Sequence, residues 1–347
     1  MRINIPPVTR ALLLLTSFFS FVYAIARYNI LSQTGSGPPN EESIPYLTLV
    51  PSESISYPWT IITSTFVEQN VVNFLVNTTA VYFSGRYLER AWGSKDFSLV
   101  VLFAAVVPNL LVIPTYVFWG ILTRNTRRAD TPITGAITLQ AAFLVAFKQL
   151  VPEHTVSLYK GVVKIRVKHF PAIFLLLNTI AGIILGTDTA LLLAWYGLIT
   201  TWIYLRFFKH QPELTGTDTG EARIKGDASE TFAFATFFPN VIQPPVAAVC
   251  DQVYILCCNL KIIRPFSDEA IASGNDQAAA REEGGLPTSM NQARSARPMS
   301  KNEEADRRRA LALKALDERL NAASNLAITT TPSSTISQEQ TEQISGK

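Results

Sequence analysis

The chain has 347 residues, of which 48% are hydrophobic and only 16% charged, with a formal net charge of +3. That balance makes lipid the solvent of much of the chain while leaving length for a soluble tail. It gives nucleic-acid binding no support, since no basic cluster is interleaved with aromatics. Nor do Cys250, Cys257 and Cys258 show metal-ligand or disulfide spacing, so no metal, cofactor or disulfide framework is expected.

The apolar residues are bunched into stretches near the roughly 20 residues a helix needs to cross a bilayer. The first expected span runs from about Thr9 to Ala26. Arg2 ahead of it, and the A-x-A pattern of Ala24 and Ala26, leave a cleaved signal peptide as the alternative. The second runs from Trp59 to Phe83, the third from Phe97 to Leu122 and the fourth from Ile133 to Val151. The fifth covers Phe170 to Leu185 and the sixth Ala190 to Phe207. Pro114 is expected to kink the third span or mark its luminal end. The short link from Gly186 to Thr189 makes spans five and six an antiparallel pair, and Gly182 and Gly186 form a G-x-x-x-G close-packing pattern.

Basic residues resist translocation. With the N-terminus cytosolic, the loop from Tyr28 to Pro58, carrying Glu41, Glu42 and Glu53, is luminal. The loops carrying Arg86, Arg90 and Lys95, and Lys160, Lys164, Arg166 and Lys168, are then cytosolic, as is the C-terminus. The third loop, with Arg124, Arg127 and Arg128, breaks the rule.

Beyond the sixth span comes a polar linker and then the apolar stretch Phe232 to Ile263, interrupted by Pro239, Pro244, Pro245 and Asp251. Those prolines favour a pair of interfacial or re-entrant short helices over a seventh span. Cys257 and Cys258, beside Lys261 and Arg264, are candidate lipidation sites, with simple packing as the alternative. From about Pro265 the composition predicts disorder, except for a short helix at about 301–323. Ser300 and Glu303 form its capping box, Leu313, Leu316 and Leu320 share a face, and Arg307, Arg308 and Arg309 are offered to headgroups, a partner or solvent. The expected organisation is a membrane domain over 1–208, a linker with interfacial helices over 209–264 and a tail over 265–347. The fold class is an all-α polytopic membrane protein.

Around the second span the chain reads W-T-I-I-T-S-T-F-V-E-Q-N-V-V-N-F-L-V-N, and then G-R-Y-L-E-R-A-W-G-S. This resembles the rhomboid intramembrane proteases, whose corresponding helix carries F-x-H-x-x-x-x-H-x-x-x-N and then G-x-x-x-E-x-x-x-G-S. Phe66, Asn77, Gly85, Glu89, Gly93 and Ser94 stand at matching places, while the two histidine places hold Glu68 and Asn73. Structural roles are expected: Gly85 and Gly93 at a helix end and tight turn, Asn77 hydrogen-bonded inside the bundle, and Glu89 paired with neighbouring arginines. Glu68 is expected to bond to Trp59 or the first loop, against the alternative of a replacement acid or base. Asn77 also opens an N-T-T acceptor pattern, which a position within a membrane helix discounts.

A rhomboid protease takes its nucleophile from G-x-S-G at the start of the fourth span and its base from a histidine in the sixth, because a hydroxyl is a weak nucleophile until a neighbour takes its proton. Here the first motif is Pro132, Ile133, Thr134 and Gly135. In the second, the A-H-x-x-G pattern is replaced by the stretch holding Ala194, Trp195 and Gly197. The only histidines, His154, His169 and His210, fall in or beside segments read as cytosolic, so no proteolysis is expected.

Three further segments, W-I-Y-L-R-F-F at 202–208, F-A-F-A-T-F-F-P at 232–239 and R-R-R-A-L-A-L-K-A-L-D-E-R-L at 307–320, sharpen the resemblance. With L-E-R-A-W-G-S they make the chain similar to the transmembrane protein 115 family of rhomboid-related Golgi membrane proteins, over roughly Pro45 to Leu320. The resemblance implies a rhomboid-like six-helix bundle, Golgi residence, no protease activity, a part in Golgi-to-ER retrograde transport, and the conserved oligomeric Golgi tethering complex as partner. The working surface would be the tail, with Phe232, Phe234, Phe237, Phe238, Arg307, Arg308, Arg309, Leu313, Leu316 and Leu320 as candidate partner-binding residues. Membrane lipids are the other expected partner, and self-association stays open. Thr60 follows Trp59 where many rhomboids and derlins carry arginine, which weakens the alternative of a derlin-like ER quality-control factor.

Overall fold

Pro7 opens the first helix, α1 (Pro7–Thr34), where a fixed φ is pre-organised for the first turn and the missing amide would have had no partner. The computed structural model describes residues 5–34, 44–125, 128–152, 154–158, 163–210, 226–263 and 265–282. All fall in a first compact unit, 1–291; the second, 292–347, lies outside the described residues, as does the helix expected at 301–323.

After α1 a loop is pinned by a bridge between Leu49 and Ile133 and leads through a short α2 (Thr60–Thr63) to α3 (Val71–Ala80). A π-helical turn at Val81–Gly85 carries α3 into α4 (Arg86–Trp92). Gly93, at φ 87°, breaks the helix there and delivers the chain into the long α5 (Ser94–Thr123). Then follow α6 (Ile137–Leu150), an antiparallel hairpin of β1 (Thr155–Leu158) and β2 (Val163–Arg166), α7 (Phe170–Leu185) and α8 (Asp188–Ile203), which ends in a second π-helical turn at Tyr204–Phe208. Last come α9 (Gln243–Asn259) and α10 (Asp268–Glu282).

Among the described residues, four helical stretches are long and apolar enough to cross a bilayer: Pro7–Ile30, Ser94–Thr123, Val167–Leu185 and Asp188–Phe208. They turn large apolar side chains such as Phe18, Phe21, Phe118, Leu176 and Ile183 outward, as contact with lipid requires. α6 is shorter, at 14 residues, but ten of them are buried, so it forms the axis of the bundle. Small residues let its neighbours close on it. A Cβ at Gly197 of α8 would stand 2.9 Å from the Thr138 Cα, and Ala141, Ala142 and Ala146 are fully buried.

Several expectations are corrected. The span drawn from Trp59 to Phe83 is not one helix. It is interrupted at 67–70, and the helix that starts at Val71 runs on to Trp92. Tertiary bonds replace helical ones at the break: Ser20 Oγ donates to the Phe66 carbonyl (3.2 Å) and accepts from the Glu68 amide (3.1 Å). Pro114 does not end the third span, since α5 passes both Pro108 and Pro114. The hairpin is an exception to an all-α fold. Gly182 serves the α7–α8 pair itself, a Cβ there meeting Leu191 at 2.8 Å, and Gly186 is a left-handed cap.

The largest departures lie beyond α8. In place of two short interfacial helices, 230–259 forms two 3-10 turns, Glu230–Phe232 and Phe234–Phe237, and one helix, α9. Pro244 and Pro245 start that helix instead of interrupting it. Phe232 and Phe237 are only 2% and 1% exposed and pack with Val100, Val145, Leu175 and Leu198, so they close the end of the bundle and are not offered to a partner. Phe234 and Phe238 are half-buried beside them. Part of the tail expected to be disordered is α10. It docks through a close backbone approach and polar contacts: a Cβ on Gly274 would meet the Ser229 amide at 2.8 Å, and Asn275 Oδ1 accepts the Glu230 amide at 2.9 Å.

Candidate functional site

The two ends of α6 carry different chemistry. At its start the break in the second span drops Glu68 into the bundle, 6% exposed, beside the equally buried Asn77 of α3. One Glu68 oxygen accepts the Asn77 side-chain amide and the Ala136 backbone amide, the latter at 2.8 Å. Asn77 in turn accepts from the Gln140 side chain. Thr134 is half-buried just before this point, and the next residue, Gly135 at φ 106°, donates its amide to the Ser64 carbonyl at 3.0 Å. Behind it, Asn109 of α5 donates to the Ile61 carbonyl and to Thr65 Oγ1 at 2.7 and 3.0 Å.

A helix-start amide with no partner in its own helix and a side-chain amide converging on one point make a hole suited to a negative oxygen. In a hydrolytic site that oxygen would come from substrate. Here the protein's own Glu68 carboxylate fills the hole, 3.6 Å from the Cβ position of Gly135, the residue after the nucleophile place. Glu68 therefore does not bond to Trp59 as expected, because α6 offers it unpaired helix-start donors. Trp59 instead donates to the Tyr46 carbonyl at 3.1 Å and meets Tyr57 edge-on. Asn73 lies exposed on α3, one turn ahead of Asn77.

Around the base place, Ala194 is fully buried, Trp195 donates to Thr179 Oγ1 at 3.1 Å, and Gly197 admits α6. His154 follows α6, His169 precedes α7 and His210 follows α8, all toward the opposite end of α6 from Thr134.

A second buried carboxylate, Glu89, was expected to pair with arginines. It accepts instead the Val8 and Thr9 amides at 2.9 and 2.7 Å, Thr9 Oγ1 at 2.8 Å and Ser94 Oγ at 2.7 Å. α1 presents unpaired amides and the positive end of its dipole, which an anion satisfies without the need for a side-chain cation. Gly85 is not at a helix end: it lies within the π-helical turn, with the Thr9 side chain 3.0 Å from where its Cβ would be. Phe66 is buried between α1 and α6.

At the far end of α6, basic residues hold the 226–238 segment across the bundle. Lys148 donates to Thr236 Oγ1 at 2.6 Å and lies over the Phe237 ring, Lys209 lies 3.1 Å from the centre of the Trp92 ring, and Arg206 donates to the carbonyls of Asp227 and Ser229. Asp227, 2% exposed, joins Gln149 of α6 (2.8 Å) to Arg281 of α10 (3.2 Å). Burial pushes its carboxyl up, but Arg281 and the hydrogen bonds from Ser229 and Gln149 outweigh this and hold it below the ordinary value. Sequence reading missed Asp227, Gln149 and Arg281, which are 54 to 132 residues apart and share no local motif. At the opposite end Arg128, one of the arginines that broke the orientation rule, is paired with Asp188 and stacked over Trp119. Cys257 and Cys258 are half-buried on α9, and Arg307 to Leu320 lie outside the described residues.

Comparison with known proteins agrees with this architecture. A family model described as eukaryotic integral membrane protein (DUF1751) matches residues 10–322. Rhomboid-like protein 19 of Arabidopsis thaliana is 29% identical over 280 residues, 80% of this chain and 81% of its own length. The transmembrane protein 115 homolog of Saccharomyces cerevisiae is 29% identical over 290 residues, 80% of each chain. Human transmembrane protein 115 is 29% identical over 272 residues, 78% of this chain and 70% of its own. The chain thus belongs to this family of eukaryotic integral membrane proteins, the family of transmembrane protein 115.

Proposed function

We propose that this protein is a non-catalytic, rhomboid-like scaffold of Golgi membranes that serves Golgi-to-ER retrograde transport, with the conserved oligomeric Golgi tethering complex as its partner. The observation that carries the non-catalytic half is the Glu68 carboxylate bonded to the Ala136 amide and Asn77, where a reacting oxygen would need to bind. A hydroxyl at Thr134 then has neither a free anion hole nor a histidine beside it, the two groups that a histidine-activated hydroxyl uses in acyl transfer. The Golgi half rests on the family resemblance.

The helices beyond the four longest complete a six-helix bundle in this reading, with α6 crossing as its sheathed axis and α3–α4 as the second span. Arg86, Arg90, Lys95, Arg166, Arg206, Lys209 and Lys261 cluster toward one end, which the charge rule assigns to the cytosol together with both termini. Since Phe232 and Phe237 are buried, the surface left for the tethering complex is the cytosolic end around α9 and α10 and the chain beyond.

Proximity labelling from a C-terminal tag, with imaging of the same cells, tests the proposal. Golgi signal with enriched tethering subunits is the expected result; ER signal with degradation machinery would favour a derlin-like factor. Purified protein in liposomes should leave transmembrane substrates intact, and any cleavage abolished by Thr134→Ala would overturn the non-catalytic assignment.

A further inference from the structure

α9 has no buried residue along its 17 positions. Its contacts come from one side only. Tyr254 stacks on Phe207 and Phe266 with ring centres 6.5 and 6.3 Å away and accepts the Phe266 amide at 3.1 Å, and Gln243 donates to the Phe238 carbonyl at 3.0 Å. Val246, Cys250 and Cys257 share that half-buried side. At about 100° per residue, Val249, Val253, Leu256 and Leu260 fall within an arc of about 60° that borders this half-buried side, with Ile242 in line ahead of them. These five are 48–64% exposed.

We propose that this outer stripe of α9 lies in the bilayer leaflet at the basic end of the bundle, held by apolar insertion and not by charge. Two observations choose lipid over a protein partner. First, the Phe234–Phe237 turn that holds α9 also packs against α7, a helix of bilayer length whose Leu176 and Leu177 are exposed. One turn therefore joins α9 to a helix of the lipid-facing belt. Second, between Gln243 and Asn259 there is one carboxylate, Asp251, and no Lys or Arg. Gln252 and Asn259, which border the stripe on the side away from the half-buried face, are uncharged, so no charge sets register or specificity with a partner helix, whereas hydrocarbon asks for none. The inference needs only that the chain spans a membrane and is independent of which compartment the basic end faces.

The test uses the full chain in liposomes, with Cys250, Cys257 and Cys258 replaced by Ser and a polarity-sensitive fluorophore on a single cysteine. Probes at Val253→Cys and Leu256→Cys should emit blue-shifted light and lose that emission when the lipids carry brominated acyl chains. A probe at Gln252→Cys should stay water-like, and adding anionic lipid should change neither. Leu177→Cys, on α7, reports whether the bundle has inserted and must be quenched in every valid preparation. Water-like emission at Val253 and Leu256 in such preparations overturns the inference. So does a blue shift indifferent to brominated lipid, which would assign the stripe to a second copy or another protein.

Discussion

At the scale of single residues, two acidic side chains do the same physical work at two helix starts. Glu89 takes the unpaired amides of α1 and Glu68 takes that of α6, each meeting the positive end of a helix dipole. Glu89→Ala strands two backbone amides and two hydroxyls, and a cost of about 3 kcal/mol is expected, read as a lower thermal midpoint in detergent. Glu68→Gln keeps an oxygen for the Ala136 amide, so it should be milder than Glu68→Ala in the same measurement. Equal losses would mean that the negative charge, and not the hydrogen bond, is what matters. Asp227 makes a pH prediction. Its pKa in the folded chain lies below the ordinary carboxylate value of about 3.9 because of Arg281, Ser229 and Gln149. The stabilisation is complete above that value and is lost as pH falls through the lower, folded one. Amide exchange in α10, corrected for intrinsic rates, should be flat from pH 8 to 5 and rise only in stronger acid. Asp227→Asn should expose α10 already at neutral pH.

At the scale of elements, the α6–α8 joint is closed backbone to backbone and depends on having no side chain at Gly197. Its Cβ position lies 2.9 Å from backbone in α6, which cannot yield as a side-chain tip can. Gly197→Val should therefore cost about 1–3 kcal/mol by overpacking, and Gly197→Ala should lie between it and the parent in detergent unfolding. Gly93 is a different case, with open space around its Cβ position but φ at 87°. A substitution there strains the turn between α4 and α5 without touching the core. α10 illustrates why a hydropathy window fails beyond the bundle. Its docking uses Gly274, Asn275 and Arg281, residues that score as polar linker although each meets a specific partner.

At the scale of the whole molecule, the basic residues gathered toward the end of the bundle where α6 finishes give the clearest prediction. A glycosylation acceptor built into 52–56 should be modified and shift on a gel, and one built into 268–276 should not; the reverse pattern would invert the assigned orientation.

Apolar runs of bilayer length, which depend only on composition along the chain, determined that this is a polytopic membrane protein and placed α5, α7 and α8 to within a few residues, whereas α1 runs eight residues past Ala26. The rhomboid-like spacing from Phe66 to Ser94 was legible for the same reason, since it lies within one continuous segment. Partnership was not. Glu68 meets Ala136 across 68 positions, Glu89 meets Val8 across 81, and Asp227 joins two elements on either side of it. A side chain's charge and spacing leave open which unpaired backbone or ionic group it will satisfy. Packing decides that, by bringing helix starts and buried polar groups to within about 3 Å of one another. The same packing drew Phe232 and Phe237 into the core and left the stripe on α9 outside it.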